Sequence, residues 1–215
     1  YTSALDALEE AGAQGGVLFG VSDITLIPHF SAGLAYAIAE DQINEQGPVI
    51  ADSLNEERNE DIFEWGSFTA DQSCRPSQQG ASTLVPANYG LSELLASALE
   101  GADVTLNCAD DERVLVGAEV ALLQSRVDAY NAFIQQEAEA RGWVYQPINP
   151  TLNELRESGD ILPFPNFSDP SGDFFGTAFS LDGIHPNSST HELIANTTIE
   201  AINAEYGTSL STLQE

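Results

Sequence analysis

Two short apolar runs with an amphipathic segment between them predict a parallel sheet covered by helices. Residues 16–22 form a short apolar run that is typical of a buried strand, and residues 143–148 form a second one. Between them, residues 117–141 carry apolar side chains at spacings of three and four, which predicts an amphipathic helix with Gly142 as its stop; the stripe comprises Val120, Leu123, Val127, Tyr130 and Ile134. This order favours an α/β fold.

The first fifteen residues look like the second half of a helix. Leu5 and Leu8 share one face, and Gly12 or Gly15 is suited to end the helix. No convincing capping residue precedes this segment. We therefore expect the chain to begin inside an element, with its native N-terminus further upstream.

The middle of the chain has a looser pattern. Residues 31–47 predict a helix that ends near Gly47. Residues 48–115 mix acidic tracts with short apolar patches and are too long for a simple connection. We interpret this segment as an elaboration of one domain spanning residues 1–215. It contains a predicted helix at 91–99 and is suited to form one wall of a substrate cleft.

The last third predicts two helices separated by a loop. A short helix is expected at 149–158, capped by Asn149 or Thr151. Residues 159–178 are rich in Gly, Pro, Asp and Phe and predict a loop. A final helix is expected from about Ser188 to Tyr206, followed by Gly207.

The net charge of the chain limits the classes of molecule that it is expected to bind. The chain has 34 acidic residues against 6 basic ones, a net charge of -28, and every basic residue is an arginine. Nucleic acid and anionic membranes are poor partners for such a surface, because they are bound through basic patches. An acidic surface without lysine favours adaptation to high salt, which screens self-repulsion, over an ordinary acidic protein.

Two cysteines, Cys74 and Cys108, lie in loop-like surroundings. In a secreted protein they are expected to form one disulfide, and in a cytosolic protein they are expected to be free thiols. We favour the disulfide. The sequence contains no apolar run of 18 residues that would suggest a membrane span.

Candidate chemistry is concentrated in the segment Phe179–Asn187, FSLDGIHPN. Asp182 precedes His185 by three residues, and Gly183 allows the turn to bring the carboxylate to the imidazole. A carboxylate and a histidine so placed are suited to be the orienting acid and the general base of a catalytic triad; a purely structural turn is the alternative.

Two further polar residues with candidate roles lie outside that segment. Asp23 follows the first predicted strand, where α/β sheets place functional groups, but a capping role is favoured. His29 lies between apolar residues, where a structural histidine is favoured over a cleft residue.

The segment around Asp182 and His185 resembles the C-terminal block of the SGNH hydrolases, also called GDSL esterases or lipases. GVSDITLIPHF and RVDAYNAFIQQEAEARGW also resemble parts of that family, whereas residues 48–115 do not. The resemblance implies a flavodoxin-like three-layer α/β/α fold, a secreted or periplasmic bacterial enzyme, and hydrolysis of carboxylic, lipid or acetyl esters without a cofactor. It assigns Asp182 and His185 as the acid and the base of the triad.

The family's nucleophile is a serine in a Gly-Asp-Ser motif near the N-terminus, and this chain has no such motif. The Gly-x-Asn-Asp motif of the oxyanion hole is absent too. The chain therefore resembles a C-terminal portion, and the N-terminal strands are expected from a missing N-terminal segment or a second chain. These 215 residues alone are expected to have no significant esterase activity.

Two alternatives remain open at this point. A non-catalytic binding or surface protein would keep the hydrolase scaffold without the nucleophile. A metal site would use Asp182 and His185 together with His191 and Glu192.

Overall fold

A computed structural model describes residues 1–110, 112–167 and 173–213. The structure is a mixed α/β fold of six α-helices, six short strands, two 3₁₀ turns and one π-helix in these ranges. The helices are α1 Thr2–Glu10, α2 Gly33–Arg58, α3 Ala96–Leu99, α4 Gly117–Arg141, α5 Asn149–Ser158 and α6 Ser188–Tyr206. The strands are β1 Val17–Phe19, β2 Phe30–Ala32, β3 Ser67–Ala70, β4 Leu84–Pro86, β5 Asp103–Leu106 and β6 Val144–Gln146.

The two strands predicted at 16–22 and 143–148 pair with each other in parallel. In the β1–β6 pair, Val17 lies opposite Val144 and Phe19 lies opposite Gln146. Helix α4 directly precedes β6 along the chain. Both strands are shorter than predicted, three residues each rather than six or seven. In the described ranges the strands form three separate pairs, β1–β6, β2–β4 and β3–β5. A general α/β class is therefore present, without one continuous sheet.

Helix α2 continues far beyond its predicted end at Gly47. It runs through Pro48 to Arg58 and ends at Asn59, which has a left-handed backbone. Gly47 is needed for packing rather than for termination, because an added Cβ would come within 2.1 Å of the Trp65 ring. The prediction that the helix ends near Gly47 was wrong, and the glycine is explained instead by the close approach of Trp65.

The predicted elaboration, residues 48–115, contains much of the ordered core. It supplies β3, β4 and β5, a π-helix at Asn88–Leu95 and α3, so the helix predicted at 91–99 is confirmed and begins earlier. A disulfide joins Cys74 to Cys108, as favoured from the sequence, and both residues are fully buried. We call residues 33–110 the disulfide region.

The strands β1 and β6 with helices α1 and α4 form a second, smaller core, which we call the β1–β6 layer. Leu5, Leu18 and Ile134 are buried there. The predicted stripe of α4 is only partly covered: Val120 and Ile134 are buried, but Leu123 and Tyr130 are exposed. No strand in the described ranges pairs with the other edge of β1.

The remaining helices agree with their predicted bounds. α5 spans Asn149–Ser158, but neither predicted residue caps it; Ile148 holds that position without a side-chain hydrogen bond. α6 ends at Gly207, whose φ is 63°. The described parts of 159–178 contain no helix or strand, and residues 168–172 lie outside the described ranges.

No helix in the described ranges is both long enough and apolar enough to cross a membrane.

Candidate functional site

The segment Phe179–Pro186 forms a closed turn just before helix α6. The Ser180 N–H donates to the His185 carbonyl at 2.9 Å, and Phe179 bridges to Pro186. Gly183 takes a φ of 66°, and an added Cβ would come within 2.9 Å of the His29 amide nitrogen. Glycine is therefore required here both for the left-handed backbone and for the close approach.

Asn187 fixes the start of the following helix. Its side-chain oxygen accepts the Thr190 N–H at 3.0 Å and caps α6, while its own N–H donates to the Ala178 carbonyl at 3.0 Å. The buried Thr190 hydroxyl donates to the same Ala178 carbonyl at 2.8 Å. The sequence signal for this cap was an asparagine directly before Ser-Ser-Thr, a common pattern at helix starts.

The turn brings the two predicted site residues together. Asp182 Oδ2 lies 2.6 Å from His185 Nδ1. The other carboxylate oxygen, Oδ1, accepts hydrogen bonds from the Ser180 hydroxyl at 2.6 Å and from the backbone N–H groups of Ile184 and His185 at 2.8 and 3.0 Å. One carboxylate oxygen therefore holds the turn, and the other orients the imidazole.

These hydrogen bonds keep Asp182 ionised. The backbone N–H of His185, followed by the Ser180 hydroxyl and the His185 ring, holds the pKa of this carboxyl well below its usual range. When Nδ1–H is donated to the carboxylate, Nε2 of His185 carries the lone pair. The His185 side chain is 76% exposed, so this nitrogen is accessible to a reacting group.

Ser180 is a site residue that the sequence did not single out. Its hydroxyl binds Asp182 and lies within the same tight turn, so it supports the carboxylate. A serine two residues before an aspartate could have indicated this contact. No serine or cysteine side chain in the described ranges makes a hydrogen bond with the His185 imidazole.

His29 supports the turn from outside. Its N–H donates to the Gly183 carbonyl at 2.9 Å, and its ring Nδ1 lies 3.1 Å from the Asp182 carbonyl oxygen. Its own carbonyl accepts the Ala87 N–H at 2.8 Å, which ties the turn to the disulfide region. The favoured structural role of His29 agrees with these bonds, although the residue also lines the cavity described next.

A cavity of about 320 Å³ adjoins the turn. Its wall includes Asp182, and most of the other lining side chains are apolar; they include Ala87, Leu91, Phe174, Phe175, Leu181 and Ile184. Residues of the disulfide region therefore form one wall next to the candidate site. A larger cavity of about 590 Å³ lies against α2 and Trp65 and includes no residue of the turn.

Asp23 has the capping role favoured from the sequence. Its Oδ1 accepts the backbone N–H and the hydroxyl of Thr25, both at 2.8 Å, and its Oδ2 accepts a hydrogen bond from Gln124 at 3.2 Å. The Asp23 N–H donates to Asn149 Oδ1 at 2.8 Å. Asn149 thus joins α5 to the segment that follows β1, and it is the first residue of its helix rather than the cap.

The residues considered for a metal do not form a ligand set. His191 and Glu192 lie on α6, and the described ranges contain no group of three His, Cys, Asp or Glu side chains that could hold a metal ion.

Comparisons with protein-family models, with curated proteins and with solved structures find no match to this chain. The likeness to the SGNH hydrolases therefore depends on the motif residues and their arrangement.

Proposed function

We propose that this chain provides the acid and the base of a serine ester hydrolase of the SGNH type. The observation that carries the proposal is the 2.6 Å contact between Asp182 Oδ2 and His185 Nδ1, with Nε2 left accessible. In the proposed reaction Nε2 takes the proton of a serine hydroxyl and later returns it to the leaving alcohol. Asp182 holds the imidazole in the required tautomer and stabilises its charged form.

The acyl group of the ester is proposed to bind in the 320 Å³ cavity beside the turn. Its largely apolar lining favours an aliphatic or aromatic acyl group over a sugar. The substrate class is therefore a carboxylic or lipid ester of modest size, and no cofactor is needed for this chemistry.

The nucleophilic serine and the oxyanion donors are proposed to come from a missing N-terminal segment or a second chain. The unpaired edge of β1 supports this proposal, because a strand added there would extend the sheet. Phe19 and Val21 are exposed beside that edge and would be covered by it. The SGNH-type flavodoxin-like sheet would be completed in this way.

We further propose that the protein is secreted or periplasmic and works at high salt. The Cys74–Cys108 disulfide supports an oxidising compartment. The net charge of -28 supports a high-salt environment, because dissolved salt screens the self-repulsion of such a surface.

The first experiment tests the polypeptide alone. Hydrolysis of p-nitrophenyl acetate by these 215 residues is compared with the His185→Ala variant, and equal background rates are expected because no nucleophile is present. Turnover that depends on His185 would contradict the assignment of the serine to another segment.

The second experiment tests the natural protein with a fluorophosphonate probe. The labelled residue is mapped by mass spectrometry and is expected to be a serine outside this sequence. Labelling is expected to fall sharply in His185→Ala and in Asp182→Asn. A folded natural protein that takes no label would instead favour a non-catalytic binding or surface protein, the candidate supported by the lack of a serine hydrogen-bonded to His185 in the described ranges.

A further inference from the structure

A third cavity includes no residue of the Asp182–His185 turn in its lining. Its volume is about 460 Å³, within the range of small-molecule sites, roughly 300–1,000 Å³. Its lining comes from β2, β4, the first turns of α4, and α5, and includes Thr25, Phe30, Leu84, Gly117, Val120 and Arg156. Phe30 lines this cavity, whereas the preceding residue, His29, lines the cavity at the turn. The two cavities are therefore separate.

Arg156 is the cation that lines this third cavity, and it forms no ion pair with a carboxylate of the described residues. Three other arginines pair with carboxylates: Arg75 with Glu40, Arg113 with Glu93, and Arg141 with Asp6, Glu9 and Glu137. Nε and Nη2 of Arg156 are shielded from solvent and have no hydrogen-bond partner within the described ranges. A half-buried guanidinium without an acceptor is costly, so an anion that reaches it would be bound favourably.

The first turn of α4 adds a second source of positive potential. Gly117 begins this 25-residue helix and lines the same cavity. The first N–H groups of a helix have no partner within it and carry a partial positive charge. Glu119 is occupied elsewhere, because its carboxylate accepts the Val116 N–H at 3.1 Å.

Asp23 is the nearby carboxylate that opposes an anion. Its oxygens already accept three hydrogen bonds, two from Thr25 and one from Gln124. Burial lowers the pKa of Arg156, and the charge of Asp23 acts in the opposite direction. A singly charged ligand suffers less repulsion from Asp23 than a doubly charged one, which disfavours inorganic phosphate.

We propose that this cavity binds a small organic monocarboxylate with an apolar body. The carboxylate would bind Arg156 and face the first turn of α4, and the apolar part would pack against Phe30, Leu84 and Val120. The proposal is independent of esterase activity, since none of these residues lines the cavity beside the Asp182–His185 turn.

The test is a calorimetric titration of the 215-residue chain with hexanoate and with the uncharged hexanamide. About 1 M NaCl is used so that the screening length falls to about 3 Å and the net charge does not repel the ligand. Hexanoate is expected to bind, and hexanamide to bind about tenfold more weakly, because the charged hydrogen bond is lost. No binding of hexanoate, or equal binding of the two, would overturn the proposal.

Matched variants locate the site. Arg156→Gln is expected to weaken hexanoate binding about tenfold, whereas Arg126→Gln, which removes the same charge from an exposed position of α4, should leave it unchanged. Equal losses in both variants would show a general charge effect and overturn the site.

A second pair of variants covers the case in which Arg156→Gln fails to fold, as judged by circular dichroism. Ala121→Asp places a negative charge at the exposed rim of the cavity, and Ala129→Asp places one elsewhere on α4. Only the first is expected to abolish hexanoate binding. Displacement of hexanoate by an equal concentration of inorganic phosphate would show a general anion site and contradict the organic ligand.

Discussion

The disulfide region and the β1–β6 layer bury their apolar side chains to different degrees. The cluster built on the disulfide region contains fully buried Tyr36 and Leu106 and both cysteines. The cluster of the β1–β6 layer has five buried residues, and next to it Phe19, Tyr130 and Phe133 are exposed. The segment that resembles no part of the SGNH family is thus well packed, and a segment that does resemble it is incompletely covered.

This difference bears on the proposed function. A layer with an unpaired strand edge and exposed aromatic side chains is what a domain that lacks part of its sheet would show. The Asp182–His185 turn is held from the disulfide region through His29 and Ala87, so these supporting contacts lie within the described residues. The proposed acid and base are therefore expected to keep their geometry in this polypeptide.

The largest expected effect comes from a matched pair of core substitutions. Leu106 in β5 is 0% exposed and Leu18 in β1 is 8% exposed. Leu→Ala substitutions in a core cost about 2–5 kcal/mol, depending on how well the site can collapse. Leu106→Ala is expected near the upper end of that range and Leu18→Ala near the lower end, measured by urea unfolding. Equal losses would contradict the contrast between the two cores.

The second largest effect is expected when the disulfide is removed. The cysteines are 34 residues apart, and closing a loop of that length corresponds to about 3–4 kcal/mol. The double variant Cys74→Ala/Cys108→Ala is expected to lose stability by about that amount in urea. Backbone hydrogen exchange should accelerate more at Leu106 than at Leu18, because Leu106 lies in the disulfide region and Leu18 lies in the β1–β6 layer. Uniform acceleration would show that the two regions unfold together.

The smallest effect concerns the pH dependence of the turn. The folded pKa of Asp182 is depressed, so its ionised form stabilises the folded state above the unfolded pKa, about 3.9, and this contribution is lost as pH falls toward the folded value. Asp182→Asn is expected to make the thermal unfolding midpoint less dependent on pH below about pH 4.

Asp71→Asn provides the comparison within the disulfide region. The pKa of Asp71 is also lowered, chiefly by the Ser73 hydroxyl and then by the Ser73 N–H. Because fewer groups donate to it than to Asp182, we expect Asp71→Asn to flatten the pH dependence less. A larger effect at Asp71 would contradict the assignment of the strongest carboxylate interactions to the turn.

Local patterns predicted the elements whose causes lie close in sequence. The bounds of α4, α5 and α6 follow from apolar periodicity and from glycine stops, and the contact of Asp182 with His185 follows from a three-residue spacing with Gly183 between them. The parallel orientation of β1 and β6 agrees with the parallel sheet that the order of the elements predicted. In each case the interactions that decide the structure are local or follow from a topological rule.

Tertiary contacts decided the rest. Gly47 does not end its helix; the Trp65 ring lies against it and occupies the space that a side chain would need. Tyr130 fits the apolar stripe of α4, yet it is exposed, because nothing in the described ranges packs over it. Asn149 binds the backbone of Asp23, in the segment after β1, instead of capping α5, and His29 holds the turn across more than 150 residues of sequence. A periodic pattern shows which side chains can be buried, but only the folded chain determines which of them find a partner.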